Sequence, residues 1–208
     1  MFGLTIAGVI SRIITLVIAF TIHELAHAVT ALQLGDETPR RMGRVTLNPL
    51  AHLDPLGSIL LIFAGFGWAK PVQVNPYNLR PGPQLGMGIV AAAGPISNFV
   101  MAALAAIPFR LGFNPDIGGG GIFPSLGDFL LEFIYINLLL MLFNLIPLPP
   151  LDGSKILRAV APRQWDSILN PLEQYGPLLL MALVFLGGRF LGILVGQPAL
   201  TILRALVG

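Results

Sequence analysis

The 208-residue sequence contains no cysteine. That excludes disulfides, thiolate metal ligands and a cysteine nucleophile, so any transition-metal site must be built from His, Asp or Glu. Charge is also scarce. Charged residues make up 11% of the chain and hydrophobic ones 55%, whereas a soluble globular domain carries about a quarter charged residues. With a mean hydropathy of +0.81, the chain falls outside the soluble class. The N-terminus has no basic n-region and no small-residue cleavage site, so no secretory signal peptide is expected. The formal net charge is +2, but no basic stripe is interleaved with aromatics, and nucleic acid is not expected as a partner. The Lys and Arg residues read instead as topogenic charges flanking membrane helices, and the lipid bilayer is the expected surrounding.

What the chain has in quantity is long apolar runs. The first extends from about Leu4 to Leu34, roughly 45 Å as a helix and longer than a ~30 Å hydrocarbon core. Gly35-Asp36 ends it, and Arg40, Arg41 and Arg44 follow. Residues 45 to 84 are short apolar pieces cut by Pro, Gly and Asn. They predict loops, a short helix and a membrane-associated β-hairpin near 68 to 76. Further helices are expected over about Leu85 to Leu111 and Leu126 to Ile146, separated by a loop with Gly118 to Gly121 in a row. A polar segment follows Asp152-Gly153, and the apolar stretch of about 175 to 207 fits either one span or two. The expected architecture is an all-α polytopic membrane protein, a single domain over 1–208. It has a three-helix catalytic core at about 4–158, C-terminal apolar helices at about 175–207, and the short hairpin. Arg40, Arg41, Arg44, Lys155, Arg158 and Arg163 cluster in two segments, which the positive-inside rule places on the cytoplasmic side. The expected location is the cell (plasma) membrane, with His27 and Asp152 toward the cytoplasm.

The chemistry-bearing pattern lies inside the first apolar run: His23-Glu24-Leu25-Ala26-His27. Residues four apart share one helix face, so two imidazoles can bind one zinc while Glu24 reaches a water beside it. Ionisable groups in an apolar segment are costly and mark function. A catalytic zinc takes three protein ligands and keeps a position for water. Candidates for the third are His52, Asp54, Glu132 and Asp152. Asp152 is the best placed, because the Pro-rich segment before it frees the backbone to turn the carboxylate inward and Gly153 permits an unusual backbone angle. His52 ranks second. Asn144, Asn98 and His52 are candidates for stabilising the transition state or binding substrate.

These residues resemble the site-2 protease family of intramembrane zinc metalloproteases. The resemblance rests on His23 to His27 and on Asn144-Leu-Ile-Pro-Leu-Pro-Pro-Leu-Asp-Gly153. Between them lie Asn48 to Gly57, Gly67 to Val72 and Gly94 to Asn98 in the family's order, so roughly residues 18 to 158 are covered. The resemblance implies one zinc held by His23, His27 and Asp152, Glu24 as catalytic base, and a three-helix core. Family members often continue Asp-Gly-Gly-Arg, where this chain has Asp152-Gly153-Ser154-Lys155. There is no room for appended PDZ or CBS domains, so a minimal form is expected.

The reaction expected is hydrolysis of peptide bonds in or near transmembrane segments of membrane-protein substrates, with the hairpin offering a strand edge to an unwound segment. The alternative is a membrane metal-binding or transport protein using the same ligands without hydrolysis. No internal repeat of the kind transporters show is visible. The sequence leaves oligomeric state open.

Overall fold

The computed structural model describes residues 5–57, 68–113 and 122–208. The expected Gly118 to Gly121 and most of the run leading to Phe66-Gly67 lie outside them. Apart from single-turn 3₁₀ helices, seven helices lie wholly within the described residues: α1 (Ile6–Gln33), α2 (Thr38–Arg41), α3 (Pro83–Arg110), α4 (Leu126–Asn144), α5 (Asp152–Val160), α6 (Asp166–Leu186) and α7 (Gly188–Val207). Five of these, all except α2 and α5, are long and apolar enough to cross a membrane. At ~1.5 Å per residue the 28-residue α1 and α3 reach roughly 42 Å, so each tilts or protrudes from a ~30 Å hydrocarbon core.

α1, α3 and α4 pack side by side in alternating directions. Small residues let the first two approach closely: Ala19, Ala28 and Ala31 of α1 and Ala91 of α3 are buried almost completely. In lipid, where apolar contact alone gives helices no reason to associate, such close packing is the usual source of cohesion. α7 packs Ala199 onto Ala102, Ala106, Ile134 and Leu138. Arg110 at the end of α3 donates to the last carbonyls of α7, from Nε to Leu206 O at 2.8 Å and from Nη2 to Ala205 O. The end of α7 therefore lies beside the end of α3. The start of α6 lies at the opposite end of the bundle, where Arg158 of α5 meets Asn170 at 2.8 Å and Glu173 at 3.2 Å. Together α6 and α7 carry the chain once from one end of the bundle to the other, a point on which length and hydropathy are silent.

The expected β-hairpin does not form. Among the described residues there is no strand, only a single antiparallel bridge between Leu53 and Ala69. Residues 68 to 75 run extended along the last half of α1, and their backbone groups are satisfied mainly by side chains. Lys70 N–H donates to His52 O at 2.8 Å, and the Lys70 carbonyl accepts from Arg44. Val72 N–H donates to Glu24 Oε2 at 3.1 Å, and Asn75 N–H to Asp36 Oδ2 at 2.8 Å. Pro71 and Pro76 have no N–H for a ladder, and Asn75-Pro76 turns into a short helix at Pro76–Asn78. Buried backbone polar groups must find partners; here charged side chains take the place of a second strand.

Asp36 is the lower anchor of this segment. α1 stops in a Schellman arrangement, with Gly35 N–H on Leu32 O at 3.1 Å and Asp36 N–H on Ala31 O at 2.9 Å. Gly35 sits at φ +109°, which a side chain would strain. The turn delivers Asp36, wholly buried, to four donors: Thr38 N–H and Oγ1–H, Asn75 N–H and Asn78 Nδ2–H. Burial pushes its carboxyl up, but the hydrogen bonds from Thr38, Asn78 and Asn75 outweigh it and hold the group below the usual carboxylate range. A depressed folded-state value contributes stability above the unfolded value of about 3.9, and that stability is lost as pH falls through the folded value. Melting in detergent should therefore show Asp36→Asn less stable than wild type at pH 7. Its melting temperature should also fall less than that of wild type on acidification below about pH 4.

A second buried charge joins α1 to α4. Arg12 Nε donates to Glu132 Oε1 at 3.3 Å, with Glu132 buried and Arg12 partly open to the central cavity. Removing one partner of a buried pair strands the other charge, at a cost of about 3 kcal/mol, whereas replacing both by apolar residues is often neutral. Arg12→Leu should thus lower the melting temperature in detergent, and Arg12→Leu with Glu132→Leu should recover most of the loss. Equal losses for the single and the double variant would show that the pair itself does not matter.

Candidate metal centre

His23 and His27 stand one turn apart on the face of α1 that meets α3. Asp152 begins α5, which doubles back beneath the end of α4. Gly153 makes that return possible, though not through its backbone angle: it is not among the positive-φ glycines. A side chain there would strike the carbonyls of Leu145 and Ile146, so what the position requires is close approach.

The three side chains converge. His23 Nε2 and His27 Nε2 are 3.0 Å apart, and Asp152 Oδ2 lies 3.2 Å from each. The opposite ring nitrogens face acceptors. His23 Nδ1–H donates to Asn98 Oδ1 at 2.6 Å and His27 Nδ1–H to the Val90 carbonyl at 2.7 Å. With its proton on Nδ1, each neutral imidazole presents a bare lone pair from Nε2. Two lone pairs and a carboxylate oxygen then point at one another with no hydrogen between them, which a shared cation resolves. A tetrahedral zinc with ligands at ~2.0–2.1 Å separates them by about 3.3 Å, close to the spacing here. Among the described residues this is the one group of three His, Cys, Asp or Glu side chains within reach of a single ion.

The surroundings fix the rings. Asn98 passes its own Nδ2–H to Asn137 Oδ1 at 2.9 Å, and Asn137 Nδ2–H reaches the Phe133 carbonyl at 2.9 Å. A chain of amides thus runs from α1 through α3 into α4, the kind of support that sets ligand orientation and tautomer. Gly94 faces the histidines: a Cβ there would lie 2.5 Å from both Nε2 atoms. Lys155 approaches the other oxygen of Asp152 at 3.4 Å.

Glu24 lies beside the cluster and is buried. Its Oε2 accepts from Val72 N–H at 3.1 Å and stands 3.9 Å from Arg44 Nη2. These groups open onto a cavity of about 920 Å³ lined by His23, Glu24, His27, Asp152, Asn144 and Trp68, with Arg12 and Glu132 also on its wall and α6 and α7 forming another side.

The remaining sequence candidates lie elsewhere. His52 is wholly buried and donates from Nε2 to the Thr46 carbonyl at 2.8 Å, away from the cluster. Asp54 accepts from Gly57 N–H at 2.8 Å, and Glu132 is the partner of Arg12. Both amide atoms of Asn98 are engaged, so it ties helices together. Asn144 lines the cavity and donates to Leu140 O at 3.0 Å. Sequence reading missed Asn137, although a lone amide in an apolar helix is the signal that singled out the histidines. It also passed over Arg12, and read Arg44 as a topogenic charge.

Three buried side chains that could hold one metal ion lie between apolar helices with a carboxylate at their side, the donor set that a metal-dependent membrane protease requires. The comparisons with known proteins agree. The model of peptidase family M50 matches residues 122–203. YwhC of Bacillus subtilis is 41% identical over 172 residues, covering 82% of this chain and 78% of its own length. Rip2 of Mycolicibacterium smegmatis is 33% identical over 78% of this chain and 62% of its own length. Rip2 of Mycobacterium tuberculosis is 28% identical over 91% and 74%. All three carry provisional names as zinc metalloproteases. No solved structure matches significantly. The chain belongs to peptidase family M50, the site-2 protease family, and is a metalloprotease; zinc is the metal the family implies.

The fit of Gly94 against the imidazoles can be tested directly. Gly94→Ala should lower zinc per purified chain at least tenfold at limiting zinc, because the methyl displaces both Nε2 atoms. Gly188→Ala, which meets nothing within 4 Å, should leave zinc content unchanged. Full zinc content in Gly94→Ala would mean that the rings do not lie against Gly94.

Proposed function

We propose that the protein hydrolyses peptide bonds in or near transmembrane segments of other membrane proteins, in the manner of regulated intramembrane proteolysis. In this reading His23, His27 and Asp152 hold one zinc per chain and Glu24 is the catalytic base. The observation that carries it is the convergence of two imidazole nitrogens and a carboxylate oxygen, with Glu24 beside them, on a cavity walled by membrane-length helices.

When bound, zinc supplies Lewis-acid polarisation of the scissile carbonyl and lowers the pKa of the attacking water. Glu24 takes that water's proton and later delivers it to the leaving amine. With Oε2 held by Val72 N–H, the second carboxylate oxygen is left for this transfer. Asn98 and Asn137 keep His23 in its tautomer, and the Val90 carbonyl does the same for His27. Of Asn144, Asn98 and His52, Asn144 alone lines the cavity and still has an amide N–H to offer a developing oxyanion. A substrate helix must unwind to expose its peptide bonds. The extended segment 68–72 beside Glu24 is where such a stretch would lie, with the backbone of one placed along the other.

The membrane is the cell membrane in this reading, with the catalytic centre toward the cytoplasm. Arg40, Arg41, Lys155 and Arg158 gather at the end of the bundle where α1 ends and α5 begins. Arg44 is buried in contacts of its own and carries less of that argument.

Cleavage of a single-span model substrate by the purified protein in detergent tests the proposal. Activity should vanish with a zinc chelator and return on adding zinc. Glu24→Gln should keep its zinc and lose about 10²–10⁴-fold in rate. Cleavage by Glu24→Gln at the wild-type rate would sink the mechanism.

A further inference from the structure

Arg44 follows Arg40 and Arg41 in a basic stretch of the kind that flanks membrane helices, but its surroundings differ from those of Arg41. Arg41 is exposed and pairs with Glu37 on the surface of α2 at 3.6 Å. Arg44 is 4% exposed. Its Nη1 donates to the Ala51 carbonyl and its Nη2 to the Lys70 carbonyl, and the same Nη2 lies 3.9 Å from Glu24 Oε2. Its backbone N–H is fixed on Pro39 O at 2.9 Å, so the side chain leaves from a braced turn. Burying a guanidinium is costly unless its charge and its N–H groups are answered. Here the charge and the two terminal nitrogens are answered by three separate pieces of chain, the 49–52 turn, the extended segment at Lys70 and the glutamate of α1, while among the described residues Nε has no hydrogen-bond partner.

We propose that Arg44 is the positioning residue that sets the extended segment 68–72 in register with Glu24. The inference rests on the reading of Glu24 as base and of 68–72 as the place where substrate lies. Two side-chain contacts define that register. Arg44 holds the segment through the Lys70 carbonyl, and Glu24 holds it two residues on through Val72 N–H. Lys70 also donates to His52 O at 2.8 Å, and the Leu53–Ala69 bridge continues the same alignment. Without Arg44 the Lys70 carbonyl loses its donor and Glu24 loses the positive charge beside the oxygen that Val72 binds. The spacing between base and receiving segment is then no longer fixed. A lysine cannot substitute, because a single ammonium lacks the planar fork that meets two carbonyls on different segments.

The test uses the whole protein in detergent, with Arg44→Gln and Arg44→Lys measured beside wild type and Glu24→Gln. Hydrogen exchange followed by mass spectrometry gives a readout independent of activity. In both Arg44 variants, amides of 69–75 should exchange at least tenfold faster, while those of 86–98 in α3 stay as in wild type and zinc per chain is unchanged. On the single-span substrate, kcat should fall at least tenfold in both variants, per zinc-loaded chain. Unchanged exchange at 69–75, or full kcat in Arg44→Gln, would overturn the inference. So would a loss of activity that merely follows a loss of zinc, since that marks a residue needed only for folding. The functional reading fails separately, if wild type shows no chelator-sensitive cleavage or Glu24→Gln cleaves normally.

Discussion

Two imidazole nitrogens and a carboxylate oxygen lie within 3.2 Å of one another in the interior of a helix bundle, and acceptors on the opposite ring nitrogens direct both lone pairs at the shared space. Left alone, that arrangement is repulsive, and only a shared cation or a trapped proton makes it tolerable. Much of the surrounding structure serves to hold it. Acceptors on Nδ1 of both rings exclude the alternative tautomers. Gly94 lets α3 pass close against the rings, and Gly153 lets α5 begin directly below α4 so that Asp152 can reach them. These features make sense together as the support of one metal.

The second dependence is on buried charge as a substitute for sheet. Residues 68 to 75 stay extended beside α1 without a strand partner, because Arg44, Glu24 and Asp36 each take up a backbone group along their length. Glu24 comes from α1, Asp36 from the turn that ends it and Arg44 from the turn that ends α2, so the path of the extended segment is referred to the helix that carries His23 and His27 and to the short helix that follows it. The Schellman turn at Gly35 is part of this arrangement. It presents Asp36 to four donors at the level where α1 ends.

This explains what could be read from the sequence and what could not. The HExxH spacing, the apolar run around it and the long helices at 83–110 and 126–144 are local patterns, and local patterns survive folding. Asp152 was legible because a Pro-rich break before Asp-Gly in an apolar chain forces a turn. The hairpin was not a sound expectation. The alternating residues of 68–76 do form an extended segment, but its partners lie at His52, Arg44, Glu24 and Asp36, at separations no periodicity reveals. Glu132 was visible as an ionisable residue in an apolar helix. Its partner Arg12 lies 120 positions away, so the sequence offered it equally well as a metal ligand. His52 was ambiguous for the same reason, and its bond to the Thr46 carbonyl is a loop brace.

The polar stretch after Asp152 also gains a reason from these contacts. In lipid, apolar side chains give α6 little cause to prefer the bundle over the bilayer, and Leu178, Phe185 and Leu186 indeed face outward. What attaches the helix is specific. Arg158 bonds to Asn170 and Glu173, and Gly176 lies so close to Pro149 that a Cβ would meet its ring carbon and carbonyl at 2.6 Å. Both contacts fall in the first half of α6, within reach of Asp152. The second half, from Pro177 to Val184, is left to line the cavity with apolar side chains. The cavity therefore has one wall braced by buried amides and ion pairs, which carries His23, His27 and Asp152, and another in which α7 is packed on the core while the specific contacts of α6 fall at one end. That division follows from where the chain places its buried amides and its few charged residues, the latter 11% of the sequence.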